Sequence, residues 1–200
     1  MNVLHPTLAG LLIAASLFAQ ELKPIPLPKP QTDGGRPLMQ VLKDRQSRRE
    51  FSPGRLSPQM LSNLLWAAWG INRPDGRRTA PSASNRQEID VYAAVAEGLY
   101  LYNAQIHQLE PVVKEDLRAE TDAALNVIYV ADQTKLGGTS DATNSANTGF
   151  IAQNVYLFCA SEGLATVVRG SFDRESLAKA MRLRPGQRIT MTQAVGYPKK

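Results

Sequence analysis

Three arginines and a serine lie within residues 45–51, which read Arg-Gln-Ser-Arg-Arg-Glu-Phe. If this segment is extended, Arg45, Ser47 and Arg49 point to the same side. Two planar guanidinium groups that flank a hydroxyl can bind a phosphate, because arginine binds phosphate oxygens bidentately. A solvated basic turn without a ligand is the alternative that these seven residues leave open.

A second polar segment, residues 80–87, reads Ala-Pro-Ser-Ala-Ser-Asn-Arg-Gln and follows a turn rich in Pro, Asp and Gly. Its small side chains allow backbone N–H groups to approach a ligand, while Asn85 and Gln87 offer donors and acceptors. Taken alone, this segment is equally typical of a surface loop that binds nothing.

The composition argues against several other kinds of site. Cys159 is the only cysteine, so no intrachain disulfide forms, and its apolar helical surroundings indicate a small core residue. The only histidines are His5 and His107, which disfavours a histidine-rich metal site and a Ser-His-Asp hydrolase. The net charge of +5 suits phosphate-bearing ligands. The arginines cluster at one motif and not along a face, so nucleic acid is not an expected partner.

The sequence divides the chain into three parts. Residues 1–19 contain an apolar, uncharged run and are predicted to be a secretory signal peptide, with a membrane anchor or a buried first helix as alternatives. Residues 20–37 are proline-rich and predict an extended arm that acts as a spacer or crosses a partner subunit. A single domain follows over residues 38–200. We therefore expect an exported protein, periplasmic or secreted, without membrane association after cleavage.

Within the domain, helices and strands are both predicted, which indicates an α/β or α+β sandwich. Helices are expected over residues 38–44, with Leu38, Val41 and Leu42 on one face, and from Ser57 as N-cap to Gly70. Apolar runs predict strands over 89–96, 126–131, 166–168 and 191–197, and residues 98–113 predict a hairpin whose face carries Tyr100 and Tyr102. Two further expectations are an amphipathic helix over residues 114–124 and a polar, mobile lid over residues 135–148.

Four segments together resemble the nitroreductase family. Residues 45–51 are similar to its first flavin-binding segment, residues 80–87 to its Ala-Pro-Ser-x-x-Asn-x-Gln loop, residues 149–164 to its long late helix, and residues 195–198 to its closing strand. The segment around residues 97–109 is most similar to the branch that includes azoline-forming peptide dehydrogenases. The resemblance covers roughly residues 38–198, and the order of the segments makes it specific to the family.

The resemblance implies a mixed central sheet flanked by helices, in an intertwined homodimer with FMN at each of two interface sites. It assigns Arg45, Ser47 and Arg49, with Gln46 adjacent, to the ribityl phosphate and the pyrimidine side of the flavin. The other subunit would contribute Pro81, Ser82, Ala83, Ser84 and Asn85. The flavin ring would lie against Val167, Val168, Arg169 and Gly170, with a backbone N–H near N5. No catalytic side chain is implied, because N5 itself carries the chemistry.

The expected function is therefore an FMN-dependent oxidoreductase that transfers electrons or hydride in two steps between small molecules. A reductant such as NAD(P)H would donate, and a nitroaromatic or quinone would accept. Since NAD(P)H is scarce outside the cytoplasm, an exported enzyme would use another donor. The alternative is a non-catalytic flavin-binding or redox-partner protein.

Overall fold

The computed structural model describes residues 21–118, 122–135 and 139–199. The predicted signal peptide, residues 1–19, lies outside the described residues. The elements, in chain order, are β1 (Ile25–Pro26), α1 (Leu38–Asp44), β2 (Phe51–Ser52), α2 (Pro58–Trp69), β3 (Ile89–Val95), β4 (Gly98–Asn103), β5 (Gln108–Val113), β6 (Leu125–Asp132), α3 (Asp141–Glu162), β7 (Ala165–Arg169), α4 (Arg174–Ala180) and β8 (Gln187–Pro198).

The strands form one sheet in the order β1-β5-β4-β3-β6-β8-β2, and β7 also pairs with β8. β6 and β7 both run antiparallel to β8, so they are parallel to each other with β8 between them. The connection from β6 to β7 is α3, the long crossover that parallel strands require. The expected sandwich is confirmed. Its strand directions differ from the implied mixed sheet, since every pairing among the described residues of one chain is antiparallel.

Both faces of the sheet are covered because its central strands alternate apolar residues between them. On β6, Val127 and Tyr129 belong to the core beneath α2 and α3. Ile128 and Val130 belong to a smaller core on the opposite face, where Leu177 of α4 packs. The sheet is therefore a middle layer between two helical layers, and it presents different side chains to each.

The first two helices follow their sequence signals to different degrees. α2 begins as predicted, with the Ser57 side chain accepting a hydrogen bond from the backbone N–H of Met60, and it ends before Gly70. On α1 only Val41 is buried, whereas Leu38 and Leu42 are 60% and 43% exposed, so the predicted apolar face is only partly covered. A single chain therefore leaves apolar surface on α1.

Two sequence-based predictions of local structure are wrong. No helix occurs in the described part of residues 114–124, where Leu117 is buried and Arg118 turns back to bind Asp116. The predicted lid over residues 135–148 is largely helical, because α3 already begins at Asp141 with Ser140 as its N-cap. The first turns of α3 bury Asn144, Asn147 and Thr148, and polar residues at buried positions hide helical periodicity from the sequence.

The proline-rich arm lies along its own domain and does not extend away from it. β1 pairs with β5, with Ile25 opposite Leu109. Farther along the arm, the backbone N–H of Gln31 donates to the Asn63 side chain of α2. The arm is thus extended, and it packs on the chain that carries it.

His107 attaches this arm to the hairpin of β4 and β5. Its Nε2 lies 2.7 Å from Ser62 Oγ and 3.1 Å from the carbonyl oxygen of Pro28, and its Nδ1 lies 2.9 Å from the hydroxyl of Tyr102. These partners suit a neutral imidazole that donates from Nε2 and accepts from Tyr102 at Nδ1. Tyr100 and Tyr102 are both buried, so the hairpin face that they share belongs to the core.

Candidate functional site

The C-terminal half of α3 brings two predicted parts of the site together through Tyr156. The Tyr156 hydroxyl lies 2.8 Å from Ser47 Oγ and accepts a 3.0 Å hydrogen bond from the backbone N–H of Val168. The backbone N–H of Arg48 also donates to the carbonyl oxygen of Thr166 at 3.0 Å. The arginine segment is therefore attached to β7 both directly and through the helix.

Beside this contact lies a polar cavity of about 470 Å³, lined by Arg36, Lys43, Arg45, Gln46 and Arg48 among others. Arg36 pairs with Asp44 at its edge. The Arg45 guanidinium lies 5.3 Å from the centre of the Tyr156 ring, a cation–π contact. Among the described residues, Arg45 and Arg48 form no ion pair, so the cavity carries uncompensated positive charge. Such a cavity favours an anion.

The arginine segment does not follow the predicted alternation. Arg48 lines the cavity together with Arg45, whereas Arg49, which is exposed like Arg48, is not among the residues of its lining. The reason is local, because residues 45–50 adopt no regular strand and side chains two apart need not share a side. Arg48 is thus a cavity residue that the spacing argument missed.

The segment of residues 80–87 is a strained loop held by its own hydrogen bonds. Ser84, Asn85 and Gln87 all have φ near +52°, a left-handed conformation that costs non-glycine residues roughly 1–3 kcal/mol each. Ser82 Oγ accepts from the backbone N–H of Gln87 at 3.0 Å, and Arg78 donates to the Gln87 side chain at 2.7 Å. A loop that keeps this shape is preorganised.

Asn147 of α3 fixes the same loop from the side. Its Oδ1 accepts from the backbone N–H of Ala83 at 3.2 Å, and its Nδ2 donates to Glu88 Oε1 at 2.6 Å. Asn147 and Glu88 are both buried. The loop therefore takes its position from the N-terminal half of α3.

One chain does not bring this loop to the arginine cavity. Asn147, which holds the loop, and Tyr156, which borders the cavity, are roughly 13 Å apart along the axis of α3, given the usual helical rise. None of residues 81–85 lines the cavity. Four of these five side chains are exposed, namely Pro81, Ala83, Ser84 and Asn85, and Ser82 is half-buried.

The residues at the end of β7 divide between the two faces of the sheet. The backbone of Val168 meets Tyr156 on the α3 face. Val167 is buried beside Phe51 and Ala194 in a separate small cluster. The Arg169 side chain lines a cavity on the α4 face, away from the arginine cavity, because neighbouring strand residues point to opposite faces. Gly170 follows the strand, and its carbonyl oxygen accepts from Arg174 at 2.7 Å.

Tyr156 was not predicted from the sequence, whereas nearby Cys159 is the core residue that the sequence predicts. Cys159 is fully buried, and burial raises the pKa of its thiol well above its ordinary value, which fits a core residue. Tyr156 lies within the predicted helix, next to Val155, and no motif marks it. Only the position of β7 against α3 reveals its role.

The family model described as "Nitroreductase family" matches residues 42–197. The chain belongs to the nitroreductase family. The structure of a candidate nitroreductase from Ralstonia eutropha JMP134 is 38% identical, with a TM-score of 0.86, and the match covers 90% of this chain and 91% of that one. Family membership supports a flavin oxidoreductase in general.

Two more distant structures share the nitroreductase fold. A candidate nitroreductase from Desulfovibrio desulfuricans, solved in complex with FMN, is 18% identical with a TM-score of 0.61, over 84% of this chain and 89% of that one. The E. coli microcin synthetase complex McbBCD, solved with truncated pro-MccB17, contains a chain that is 18% identical with a TM-score of 0.66. That match covers 98% of this chain and 85% of that one.

No helix in the described part of the chain is both long and apolar enough to cross a bilayer. Within those same residues, no group of three or more His, Cys, Asp and Glu side chains is arranged to hold a metal ion.

Proposed function

We propose that this nitroreductase-family protein is an FMN-dependent oxidoreductase whose flavin phosphate binds in the arginine cavity. The observation that carries the proposal is the pair of guanidinium groups, Arg45 and Arg48, that line a polar cavity without a carboxylate partner among the described residues. Arginine binds phosphate oxygens through charge-assisted hydrogen bonds. The FMN bound in the Desulfovibrio desulfuricans structure adds support from a protein of the same fold.

The residues of the site fit a flavin in chemistry as well as in charge. Ser47 offers a hydroxyl next to the two arginines, and Tyr156 holds that hydroxyl in place. The backbone from Val167 to Gly170 is proposed to lie along the ring, and Gln46 and Arg49 to complete the same end of the site. When bound, FMN supplies hydride or electron transfer at N5, so the protein contributes binding, orientation and electrostatics.

A second copy of the chain is proposed to complete each site with residues 81–85. Its loop is preorganised and exposed, yet it lies far from the arginine cavity of its own chain. α3 also presents an exposed stripe on one side, formed by Ala142, Ser145, Ala146, Gly149, Phe150 and Gln153. Phe150 is 47% exposed at the centre of this stripe. Small residues around an exposed aromatic suit close packing against another copy.

Small molecules are proposed as substrates. The electron donor is NADH or NADPH where either is available to the protein, and the electron acceptor is a nitroaromatic or a quinone. The absorbance spectrum of the purified protein tests the cofactor, since bound oxidised flavin has characteristic visible bands. Turnover of a nitroaromatic with a reductant supports the enzyme. Bound flavin without turnover of any donor–acceptor pair supports the second candidate, a non-catalytic flavin-binding or redox-partner protein.

Export is proposed from the N-terminal sequence alone. Residues 1–19 have the apolar run of a signal peptide, and cleavage after them leaves Gln20 as the first residue. Intact mass spectrometry of the protein recovered from the periplasm or medium tests this proposal. A mass that still includes Met1 contradicts it.

A further inference from the structure

A second cavity, of about 350 Å³, lies on the α4 face of the sheet. Asn126 of β6, Arg169 of β7 and Thr192 of β8 line its sheet side. Phe172 and Leu177 line the opposite side, where α4 covers the sheet. The cavity shares no lining residue with the arginine cavity.

Two polar side chains with little overall exposure line this cavity. Asn126 is 6% exposed and Thr192 is 4% exposed. Neither side chain is seen to form a hydrogen bond within the described ranges, and the polar atoms of both are absent from the buried, unpartnered side-chain atoms there, so they face the open space of the cavity. Both therefore offer hydrogen-bonding capacity to a molecule inside the cavity.

Arg169 adds an unpaired positive charge. Its half-buried side chain forms no ion pair and no hydrogen bond within the described ranges. The other charged groups of the lining are already engaged. Arg118 donates to both carboxylate oxygens of Asp116. The Asp173 carboxylate accepts from the backbone N–H of Ser176 at 3.0 Å and from its hydroxyl at 2.7 Å. Arg169 is thus the group left to bind an anion.

We propose that this cavity binds a small organic carboxylate with a planar, apolar body. The Arg169 guanidinium matches a carboxylate in shape and charge. Phe172 and Leu177 offer apolar surface to a ring, while Asn126 and Thr192 can hydrogen-bond a polar substituent. The combination of apolar walls with a few convergent polar groups is typical of small-molecule sites, and the volume is within their range.

The position of this cavity indicates which substrates the proposed enzyme accepts. Arg169 and Ser171 both line the cavity and flank Gly170, whose backbone is proposed to lie along the flavin ring. Aromatic carboxylates are therefore the preferred class of electron acceptor, a conclusion that rests on the proposed function. Binding itself does not depend on the flavin.

Calorimetric titration of the purified protein tests the site with benzoate, with benzyl alcohol as a neutral analogue and with inorganic phosphate. Benzoate is expected to saturate one site per chain, with little binding of the other two probes. Arg169→Gln is expected to weaken benzoate binding about tenfold or more, as expected for a lost charge-assisted contact. Arg77→Gln removes the same charge from an exposed turn and is expected to bind benzoate like the parent.

Thr192→Val supplies a second variant and should weaken 4-hydroxybenzoate more than benzoate, with melting temperatures confirming that each variant is folded. Equal benzoate affinity in the parent and Arg169→Gln would overturn the inference. The visible absorbance of the same samples separates the two proposals. If the protein binds benzoate but contains no flavin, the carboxylate site is supported and the proposed function is contradicted. If the protein contains flavin but binds no benzoate, only the carboxylate site is contradicted.

Discussion

The hydroxyls of Ser47 and Tyr156 lie 2.8 Å apart and join the arginine segment to the long helix α3. Tyr156 also accepts the backbone N–H of Val168, so one phenol oxygen connects three distant parts of the chain. Because Val168 belongs to the strand end proposed to lie against the flavin ring, this contact sets the phosphate end of the site relative to the ring end.

Tyr156→Phe is expected to lower both stability and flavin affinity. The Val168 N–H loses its acceptor and the Ser47 hydroxyl loses its partner, at a cost of about 0.5–1.5 kcal/mol in unfolding free energy. Urea denaturation measures the stability and fluorescence titration the FMN affinity. In a double-mutant cycle with Ser47→Ala, the two substitutions should be non-additive; strict additivity would show that the two hydroxyls do not interact.

Arg45→Ala is expected to weaken FMN binding much more than it weakens folding. A charge-assisted bond to phosphate contributes roughly 1.5–3 kcal/mol, whereas the Arg45 side chain forms no ion pair that holds the described fold together. Fluorescence titration with FMN measures the loss, and Arg55→Ala, which removes an exposed arginine elsewhere, serves as the control.

FMN affinities of Arg48→Ala and Arg49→Ala distinguish the side-chain alternation predicted from the sequence from the arrangement seen in the structure. Arg48 lines the cavity and Arg49 does not, so the Arg48 variant is expected to lose more affinity. A larger loss for Arg49 would instead show that the alternation expected for an extended segment holds when the flavin is bound.

Acidification is expected to destabilise the attachment of the arm through His107. Burial lowers the pKa of His107 from its ordinary value of 6.5. The unfolded chain therefore takes up the proton more readily than the folded chain, and the free energy of unfolding falls as the pH drops below the unfolded pKa. Since His107 is the only histidine after His5, denaturation midpoints measured above and below this pH isolate its effect. His107→Gln should reduce the pH dependence; an unchanged pH dependence contradicts the assignment.

Asn147→Ala is expected to loosen the strained loop of residues 82–87. The substitution removes the acceptor of the Ala83 N–H and the donor to the buried Glu88, which should cost about 1–3 kcal/mol. Hydrogen exchange of the loop should accelerate more than that of β4, which Asn147 does not contact. Unchanged exchange in the loop would show that its own hydrogen bonds suffice to hold it.

The sequence predicted those elements that are determined by residues adjacent in the chain. Ser57 and Pro58 define the start of α2 because an N-cap side chain and a proline act on the adjacent backbone. The start of α3 escaped prediction for the opposite reason. Asn144 and Asn147 are buried there by contacts with Thr139, Ala83 and Glu88, and these contacts form only in the folded chain.

The candidate site shows the same division. The motif around Arg45 and Ser47 predicted one end of the candidate site, and the resemblance added Val168, which the structure joins to Ser47 through Tyr156. The roles of Tyr156 and Arg48 could not be predicted from the sequence, because they depend on how α3, β7 and the irregular segment of residues 45–50 pack together. The Arg169 side chain points to the opposite face of the sheet, which strand alternation predicts only once β7 is placed.

A mixed dimer tests most directly whether each flavin site combines the arginine segment of one chain with residues 81–85 of another. Arg45→Ala chains and Asn85→Ala chains, carrying different tags and refolded together, allow the mixed dimer to be purified. By symmetry such a dimer holds one site with both substitutions and one with neither. We predict that it binds one FMN with parental affinity, while each variant alone binds weakly. A mixed dimer that binds no more FMN than the two variants alone would contradict the shared site.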